Sequence, residues 1–381
     1  MDIALSPSQL ELQRRFRDWL GPALDTHGPA PRDEAAAFAH EAAWERRLHD
    51  GGWSGLAWPE AYGGRGMGII EHYLVMEALG AAGAPEGINN IGRELVGPVI
   101  LAAGTEEQKQ RFIPNIVSCV EIWCQGFSEP GAGSDLASVS TRAARTDDGW
   151  RISGQKVWTS YAQYSQWCIL LARTDAQAPR HKGLTLFLVP MDAAGLECRP
   201  IRQITGKQTF CEVFLNDVPV PDSFRLGPVN EGWQVANRVL AFERGTTRLY
   251  RQARFARELR EIRRLLGPRA DSLLLGRLHA RLEILRAHNL RIVSRVAAGL
   301  PIGPEASLQK LSWSELHIDM MRDAQEMAGP AFLADDAWKP YRHAYLQAQA
   351  ETIYAGSTEV QLSIIADRLL ELPRSKRGGG K

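Results

Sequence analysis

Residues 123–135 carry more chemical information than any other segment of this chain: they read Trp-Cys-Gln-Gly-Phe-Ser-Glu-Pro-Gly-Ala-Gly-Ser-Asp. A short apolar strand leads into a turn of small residues. The proline in that turn fixes φ, and Gly131 and Gly133 permit backbone conformations that are closed to residues with a side chain. We therefore expect the turn's backbone amides and the hydroxyls of Ser128 and Ser134 to approach a flat or anionic ligand closely.

Two further segments stand out. Residues 154–160 read Gly-Gln-Lys-Val-Trp-Thr-Ser, about one hairpin later, and residues 353–359 read Ile-Tyr-Ala-Gly-Ser-Thr-Glu near the end. Residues 58–64, Trp-Pro-Glu-Ala-Tyr-Gly-Gly, and residues 230–233, Asn-Glu-Gly-Trp, add to the pattern. In this order and at this spacing, the segments resemble the acyl-CoA dehydrogenase family of flavoenzymes over nearly the whole chain.

The resemblance implies a reaction, the dehydrogenation of an acyl-CoA thioester between Cα and Cβ. A base must remove the α proton, donors must stabilise the developing enolate oxygen, and an acceptor must take the β hydride. No side chain accepts hydride, so a cofactor is required, and in the family it is FAD. Two alternatives remain on this scaffold: an oxygen-using flavin oxidase or monooxygenase, and a subunit that only completes a partner's site.

The resemblance also implies which residues surround the cofactor. The family's first strand and turn contact the flavin ring and the thioester, its Trp-containing segment lies beside the ring, and a late segment contacts the rest of the cofactor. Taken singly, each position has an ordinary structural alternative, such as a core aromatic or a turn-forming serine. The predicted cofactor-binding residues are Gln125, Phe127, Ser128, Gly133, Ser134, Trp158, Thr159, Ser160, Ser357 and Glu359, and Ser134 is also predicted to contact substrate.

The base is not where many family members carry it, directly after the tyrosine that is Tyr354 here. This chain has Ala355 at that place, and alanine cannot take a proton. A branch that includes isovaleryl-CoA and long-chain acyl-CoA dehydrogenases also has a small residue there. In that branch the base is a glutamate on an earlier helix, directly before an arginine. The resemblance thus implies Glu243 as the base and Arg244 as a substrate contact, although most Glu-Arg pairs are solvated surface residues.

The resemblance implies that the backbone N–H of Ala355 stabilises the thioester oxygen, together with a flavin ribityl hydroxyl. Every residue except proline keeps this N–H, so replacing Glu by Ala removes the proton acceptor and leaves the donor. Glu359 is the competing carboxylate, one turn past Ala355 if the segment is helical. We expect it to point at the other end of the cofactor.

Three zones must position these residues. Residues 1–120 read as helices, with capping boxes that begin at Ser6 and Thr105 and a helix over 69–79 that stops at Gly80. Residues 121–229 read as short strands, with a hairpin turn at Asp-Gly 148–149, and residues 230–372 as long helices with Leu-rich stripes. We predict an α+β fold: a helical domain, a middle antiparallel β barrel or sandwich, and a C-terminal helical bundle. Residues 373–381 are predicted to be a disordered tail.

Composition excludes several classes. A formal charge of +1 over 381 residues gives no reason to expect nucleic acid or an acidic membrane surface, and no uncharged run is long enough to insert into a bilayer. Five cysteines without a C-x-x-C pair predict a reduced, cytoplasmic protein. The nine histidines show no metal-binding spacing, so we predict no metal, and His317 reads as a helix-surface or core residue.

The resemblance weakens where family members bind the FAD pyrophosphate of a neighbouring subunit. An Arg-Phe-Gly start is missing, with Arg269 a loose substitute, and Glu326 stands where a glutamine is usual. Some bacterial members that act on steroid side chains or other bulky acyl-CoAs are mixed tetramers whose second chain supplies such contacts. The expected partners are therefore an acyl-CoA substrate, an electron-transfer flavoprotein, and either identical subunits (a homodimer or homotetramer) or a related chain in a heterotetramer.

Overall fold

The computed structural model describes residues 5–245 and 249–373, and within these the side chains outside 240–245. The described chain divides into two compact units. We call residues 5–79 and 83–243 the sheet unit, and residues 80–82, 244–245 and 249–373 the helical unit. The predicted tail lies, from residue 374 onward, outside the described residues.

Five helices precede the sheet, and the two predicted capping boxes are confirmed. The Ser6 hydroxyl accepts a hydrogen bond from the Gln9 N–H while the Gln9 side chain accepts from the Ser6 N–H, and Thr105 and Gln108 do the same. A π-helical turn at Gly92–Val96 leads into the fourth helix. The helices are α1 (Pro7–His27), α2 (Glu34–Asp50), α3 (Ile69–Ala82), α4 (Gly97–Ala103) and α5 (Glu106–Val117).

One sequence prediction in this region is wrong, and one helix was not singled out. Gly80 does not stop α3, which continues to Ala82, because a glycine inside a helix costs only about 1 kcal/mol relative to alanine. Helix α2 was not predicted, because alanines and charged residues dominate it and its buried positions form no clear apolar stripe.

The strands form one mostly antiparallel sheet in the order β6-β7-β3-β2-β4-β5-β8, and β1 pairs with β4. The predicted hairpin at 148–149 is confirmed, since Thr146 of β2 pairs with Gly149 of β3. Two pairings, β1 with β4 and β2 with β4, are parallel. The strands are β1 (Trp123–Gly126), β2 (Arg142–Thr146), β3 (Gly149–Ser160), β4 (Trp167–Arg173), β5 (Leu184–Pro190), β6 (Leu196–Ile201), β7 (Phe210–Val220) and β8 (Arg225–Leu226).

Strands β4 and β5 are almost entirely apolar because both faces of the sheet are buried there. In β4, Ile169 and Leu171 pack with residues of α4 and α5, while Cys168 and Leu170 pack in a second core with residues of β3 and β7. Successive side chains of a strand point to opposite faces, so a strand between two cores loses the usual apolar-polar alternation. Helix α6 (Gly232–Gly245) follows the sheet and adds Val235 and Val239 to the first core.

The helical unit has its own core. Leucines of α8 pack against Phe255 of α7 and against Trp313 and Met320 of α9, as the Leu-rich stripes predict. None of the helices among the described residues is both long and apolar enough to cross a membrane. The helices are α7 (Arg251–Leu266), α8 (Ser272–Ala297), α9 (Glu305–Ala328), α10 (Ala331–Ala334), α11 (Lys339–Glu351) and α12 (Thr358–Ile364).

Candidate active site

The first predicted site segment is the turn after β1, residues 127–134, which we call the ring turn. Glu129 and Ala132 exchange both backbone hydrogen bonds across it, each 3.0 Å long. The interpretation of its glycines is wrong, because neither Gly131 nor Gly133 has a positive φ. A Cβ atom at either position would meet nothing within 4 Å, so what these glycines provide is open space beside the backbone.

A buried ion pair lies beneath the ring turn. The Lys156 Nζ is 2.8 Å from Glu129 Oε1 and also donates to the carbonyl of Phe127 at 3.2 Å. The carboxylate also accepts from the N–H groups of Ser140 and Thr141, at 2.7 and 2.9 Å, and from the Ser140 hydroxyl at 2.7 Å. Burial alone would raise the pKa of Glu129, but Lys156 and these donors outweigh it and hold the pKa at about 2. Burial lowers the pKa of Lys156, with Glu129 opposing that shift.

The end of β3 lies against the ring turn, since the Val157 N–H donates to the Ser128 carbonyl at 2.9 Å. The β3–β7 register shifts between Lys156 and Thr159, and Trp158 takes a positive φ of 59°. The Trp158 side chain is 58% exposed, which excludes the alternative that it is a core aromatic. A bulky residue with positive φ is rare outside turns and strained sites, so this geometry marks the position as a site candidate.

The polar side chains around Trp158 fit a ligand with many hydrogen-bonding groups. Within the described residues the structure shows no hydrogen-bond partner for the side chains of Gln125, Ser128, Ser134 and Ser160, each at least partly accessible. Thr159 differs, because its side chain is fully buried, with a hydroxyl that likewise has no partner there. Phe127 is buried and contributes to the core beneath. Open donors and acceptors beside an exposed aromatic and a Cβ-free turn are compatible with a flat, polar-edged ring such as a flavin.

The last predicted segment lies in the helical unit, at residues 352–358, which we call the alanine turn. Ala355 has a φ of 56° and the following Gly356 a φ of 88°. The structure shows no acceptor for the Ala355 N–H among the described residues. Ser357 caps α12, its hydroxyl accepting from the Val360 N–H at 3.4 Å. An uncommitted backbone donor in a strained turn is the geometry expected of an oxyanion donor.

Glu359 is exposed on the first turn of α12. Hydrogen bonds from its own backbone N–H and from Ser357 lower its pKa. A carboxylate with a lowered pKa is a weaker base, which counts against Glu359 as the proton acceptor. Its predicted contact with the cofactor is not affected by this argument and stays a prediction.

A buried charged cluster next to the alanine turn was missed by the sequence interpretation. Glu351 ends α11 and is 1% exposed; its carboxylate contacts His317 Nδ1 at 2.6 Å and Arg251 Nη1 at 3.1 Å. Its carbonyl accepts from Lys310 Nζ at 2.9 Å. His317 is thus a core residue, as one of the two interpretations held, but an ion-paired one. No local sequence motif predicts this cluster, because its members come from α7, α9 and α11.

The predicted base, Glu243, and the predicted substrate contact, Arg244, are neighbours near the end of α6. Helix α6 carries Glu243 and Arg244, and the helical backbone there agrees with a base on an earlier helix. The side chains of Glu243 and Arg244 lie outside the described residues. Within the described residues, no group of three or more His, Cys, Asp or Glu side chains is arranged to hold a metal ion.

Comparison with protein families matches three models along the chain. Residues 6–119 match the acyl-CoA dehydrogenase N-terminal domain, residues 124–218 the middle domain and residues 230–370 the C-terminal domain. Acyl-CoA dehydrogenase IpdE1 of Mycobacterium tuberculosis is 40% identical, with 97% of this chain and 99% of the relative aligned. Short-chain specific acyl-CoA dehydrogenase of Homo sapiens is 29% identical over 83% of this chain and 80% of its own.

Solved structures agree with this assignment. The Tcur3481-Tcur3483 steroid ACAD has a TM-score of 0.86 and 30% identity, covering 98% of this chain and 100% of the other. The ChsE4-ChsE5 complex from Mycobacterium tuberculosis has a TM-score of 0.85 and 29% identity, with the same coverage. The chain therefore belongs to the acyl-CoA dehydrogenase family, as an FAD-dependent oxidoreductase that dehydrogenates acyl-CoA thioesters.

Proposed function

We propose that Glu243 removes the α proton of an acyl-CoA while the Ala355 N–H stabilises the thioester oxygen. Bound FAD supplies the acceptor for the β hydride. The ring turn and the end of β3 hold the flavin, with Trp158 beside the ring and Ser128, Ser134 and Ser160 as hydrogen-bonding groups. Ser357 and Glu359 contact the rest of the cofactor, and Arg244 contacts substrate.

The observation that carries this proposal is the alanine turn. Ala355 offers no side-chain base, yet its backbone is held in a rare conformation with an N–H that has no acceptor among the described residues. A donor for an enolate oxygen is useful only if a base acts elsewhere. The two other carboxylates near this turn are poor bases, because Glu359 has a lowered pKa and Glu351 is ion-paired and buried. This supports a base on another element, and Glu243 on α6 is the candidate that the family pattern provides.

The substitution Glu243→Gln tests the base. We expect the variant to keep its bound flavin and to lose flavin bleaching by substrate under anaerobic conditions, by about 10²–10⁴-fold in rate. Glu359→Gln, compared at equal bound FAD because we assign Glu359 to the cofactor, is the control that removes the competing carboxylate. If Glu243→Gln reduces its flavin at the parent rate, the assignment is wrong. A parent protein that binds flavin but is bleached by no acyl-CoA in a broad panel would favour the partner-completing subunit.

We further propose a bulky acyl-CoA as substrate and a related chain as partner. The small side chain at 355 leaves room near Cα, and similar structures include one named a steroid ACAD and one named as a complex of two chains. Arg269, the loose substitute for the intersubunit arginine, donates instead to the Ala328 carbonyl at 3.2 Å. Glu326 is exposed and would repel phosphate. Expression of this chain without a partner chain tests whether a partner is required. A stable yellow protein with full FAD occupancy would contradict an obligatory partner.

The electron acceptor and the location are parts of the same proposal. We assign an electron-transfer flavoprotein as the electron acceptor. If oxygen consumption matches substrate turnover, oxygen is the acceptor instead and the protein is an oxidase. All five cysteines are free and four are buried, which supports a reducing, cytoplasmic location.

A further inference from the structure

Gln361 is a fully buried polar side chain on α12, and its hydrogen-bond partners among the described residues belong to the alanine turn. Its Nε2 donates to the carbonyl of Ala355 at 3.0 Å and to the carbonyl of Gly356 at 3.2 Å. The two hydrogens of one amide group thus bind two consecutive carbonyls. Its Oε1 has no partner among the described residues, and a flipped amide would bring that oxygen against both carbonyl oxygens, so the contacts fix the orientation.

These two hydrogen bonds act on a strained backbone. Ala355 and Gly356 both have positive φ, a conformation that is unfavourable for an alanine. The two hydrogen bonds from Gln361 to the turn's carbonyls help to offset that cost. Only the φ and ψ angles of Ala355 separate its own N–H from the carbonyl that Gln361 holds. A side chain that fixes the carbonyl of Ala355 therefore also limits where its N–H can point.

We infer that Gln361 is a positioning residue for the oxyanion donor at Ala355, an inference that rests on the function proposed above. It acts through the backbone and not on the substrate. Its neutral charge matters, because a carboxylate at this place would set a negative charge against two carbonyl oxygens and close to the developing enolate. The amide holds the turn without opposing the charge that the N–H must stabilise.

A purely structural role is the competing explanation, since α12 begins in this turn. Gln309 provides the matched control: it is a buried glutamine of the same unit, its Nε2 donates to Asn289 Oδ1 at 3.0 Å, and its Oε1 also lacks a described partner. Gln361→Met and Gln309→Met each remove one buried glutamine. Only the first of these variants releases the carbonyls of the alanine turn.

The test measures the infrared carbonyl stretch of bound 3-thiaoctanoyl-CoA labelled with carbon-13 at its thioester carbonyl. The FAD-loaded protein used for the spectra carries Glu243→Gln in the parent and in every variant, so that the α proton stays on the ligand, and kcat is measured without that substitution. In the parent we expect a shift to lower wavenumber, which reports the donor to that oxygen. Gln361→Met should reduce the shift and lower kcat by about tenfold to hundredfold, with a smaller change in KM and unchanged FAD content. Gln309→Met should leave the shift and kcat near the parent values.

The outcomes separate this inference from the function on which it rests. A parent that shows no shift overturns the oxyanion role of Ala355 and this inference with it. A parent shift that survives in Gln361→Met, or that Gln309→Met reduces equally, overturns the positioning role alone. If Gln361→Met does not fold, Gln361→Asn decides the matter, because it keeps the amide and withdraws it by one methylene from the two carbonyls; a parent-like shift there contradicts the inference.

Discussion

The two turns that carry the predicted site are held in place by different chemistry. The ring turn is braced by a buried charge of its own, since Glu129 is paired with Lys156 and accepts two backbone N–H groups. The alanine turn has no buried charge within it; Glu359 is exposed, and the carbonyls are held by the neutral amide of Gln361. A charge can brace a turn that has to hold a cofactor, whereas a neutral group suits a turn beside a developing anion.

A buried charge does support the alanine turn, but it lies on the residue directly before the turn. This residue is Glu351, whose carboxylate contacts both Arg251 and His317. The two buried clusters therefore differ in number and type of cation: one lysine under the ring turn, and two arginines (Arg251 and Arg254) with a titratable histidine behind the alanine turn. The stability of the ring turn should depend strongly on its one cation, Lys156. The stability of the cluster behind the alanine turn should depend on pH near and above neutrality.

The largest effect is expected from Lys156→Met, which leaves the Glu129 carboxylate buried without its cation. Breaking a buried pair in this way costs roughly 3–5 kcal/mol. We expect the free energy of unfolding in urea to fall by that amount and FAD content to fall with it. The double variant Lys156→Met/Glu129→Gln should recover much of the loss. A single variant as stable as the parent would show that Lys156 does not brace the ring turn.

The acid response of the sheet unit should come next in size. The pKa of Glu129 is about 2 against an ordinary value of 4.5, a difference that corresponds to about 3 kcal/mol of stability. Because the folded pKa is the lower one, this stability is complete above pH 4.5 and is lost as the pH falls toward 2. Relative to Glu129→Gln, the parent's free energy of unfolding should decline across that window. Parallel profiles would contradict the assigned pKa.

The alkaline response of the helical unit should be smaller. Burial lowers the pKa of His317, but Glu351 and Glu258 outweigh burial and raise it above the usual value. A raised histidine pKa contributes stability below pH 6.5 that is lost as the pH rises through the folded value. Melting temperature measured from pH 6 to 9 should fall more steeply in the parent than in His317→Gln, by the equivalent of roughly 1.5 kcal/mol. Arg251 and Arg254 also contact these carboxylates, and Lys310 binds the Glu351 carbonyl. Equal slopes would show that these groups, not His317, set the pH response.

The amount of structure that can be predicted from the sequence differs between these two turns. The strand, turn and hairpin around the ring turn follow from local signals: small residues after an apolar run, the Asp-Gly pair, and capping boxes whose partners lie three residues apart. The predicted ring residues are therefore found on adjoining elements. The function of the glycines was misjudged, because whether a glycine provides conformational freedom or empty space depends on what surrounds it.

The supports of both turns could not be predicted. Lys156 lies 27 residues from Glu129, and His317 lies 34 residues from Glu351. In the sequence each resembles an ordinary charged residue of a strand or helix, and only the tertiary fold brings the partners together. Gln361 is similar, since the sequence shows a glutamine on a short helix and not the two carbonyls of the turn that precedes it. Glu243 was inferred from family resemblance alone.

The most direct test of the central claim, that the proton acceptor is Glu243 and not a residue of the alanine turn, separates proton removal from hydride transfer. The sulfur of 3-thiaoctanoyl-CoA occupies the β position and prevents hydride removal, so exchange of its α protons with D₂O, followed by NMR, reports the base alone. We predict that the parent and Glu359→Gln, both loaded fully with FAD, catalyse this exchange and that FAD-loaded Glu243→Gln does so about 10²–10⁴-fold more slowly. We also predict that Glu243→Gln/Ala355→Glu regains part of the rate. Exchange by Glu243→Gln at the parent rate would contradict the account.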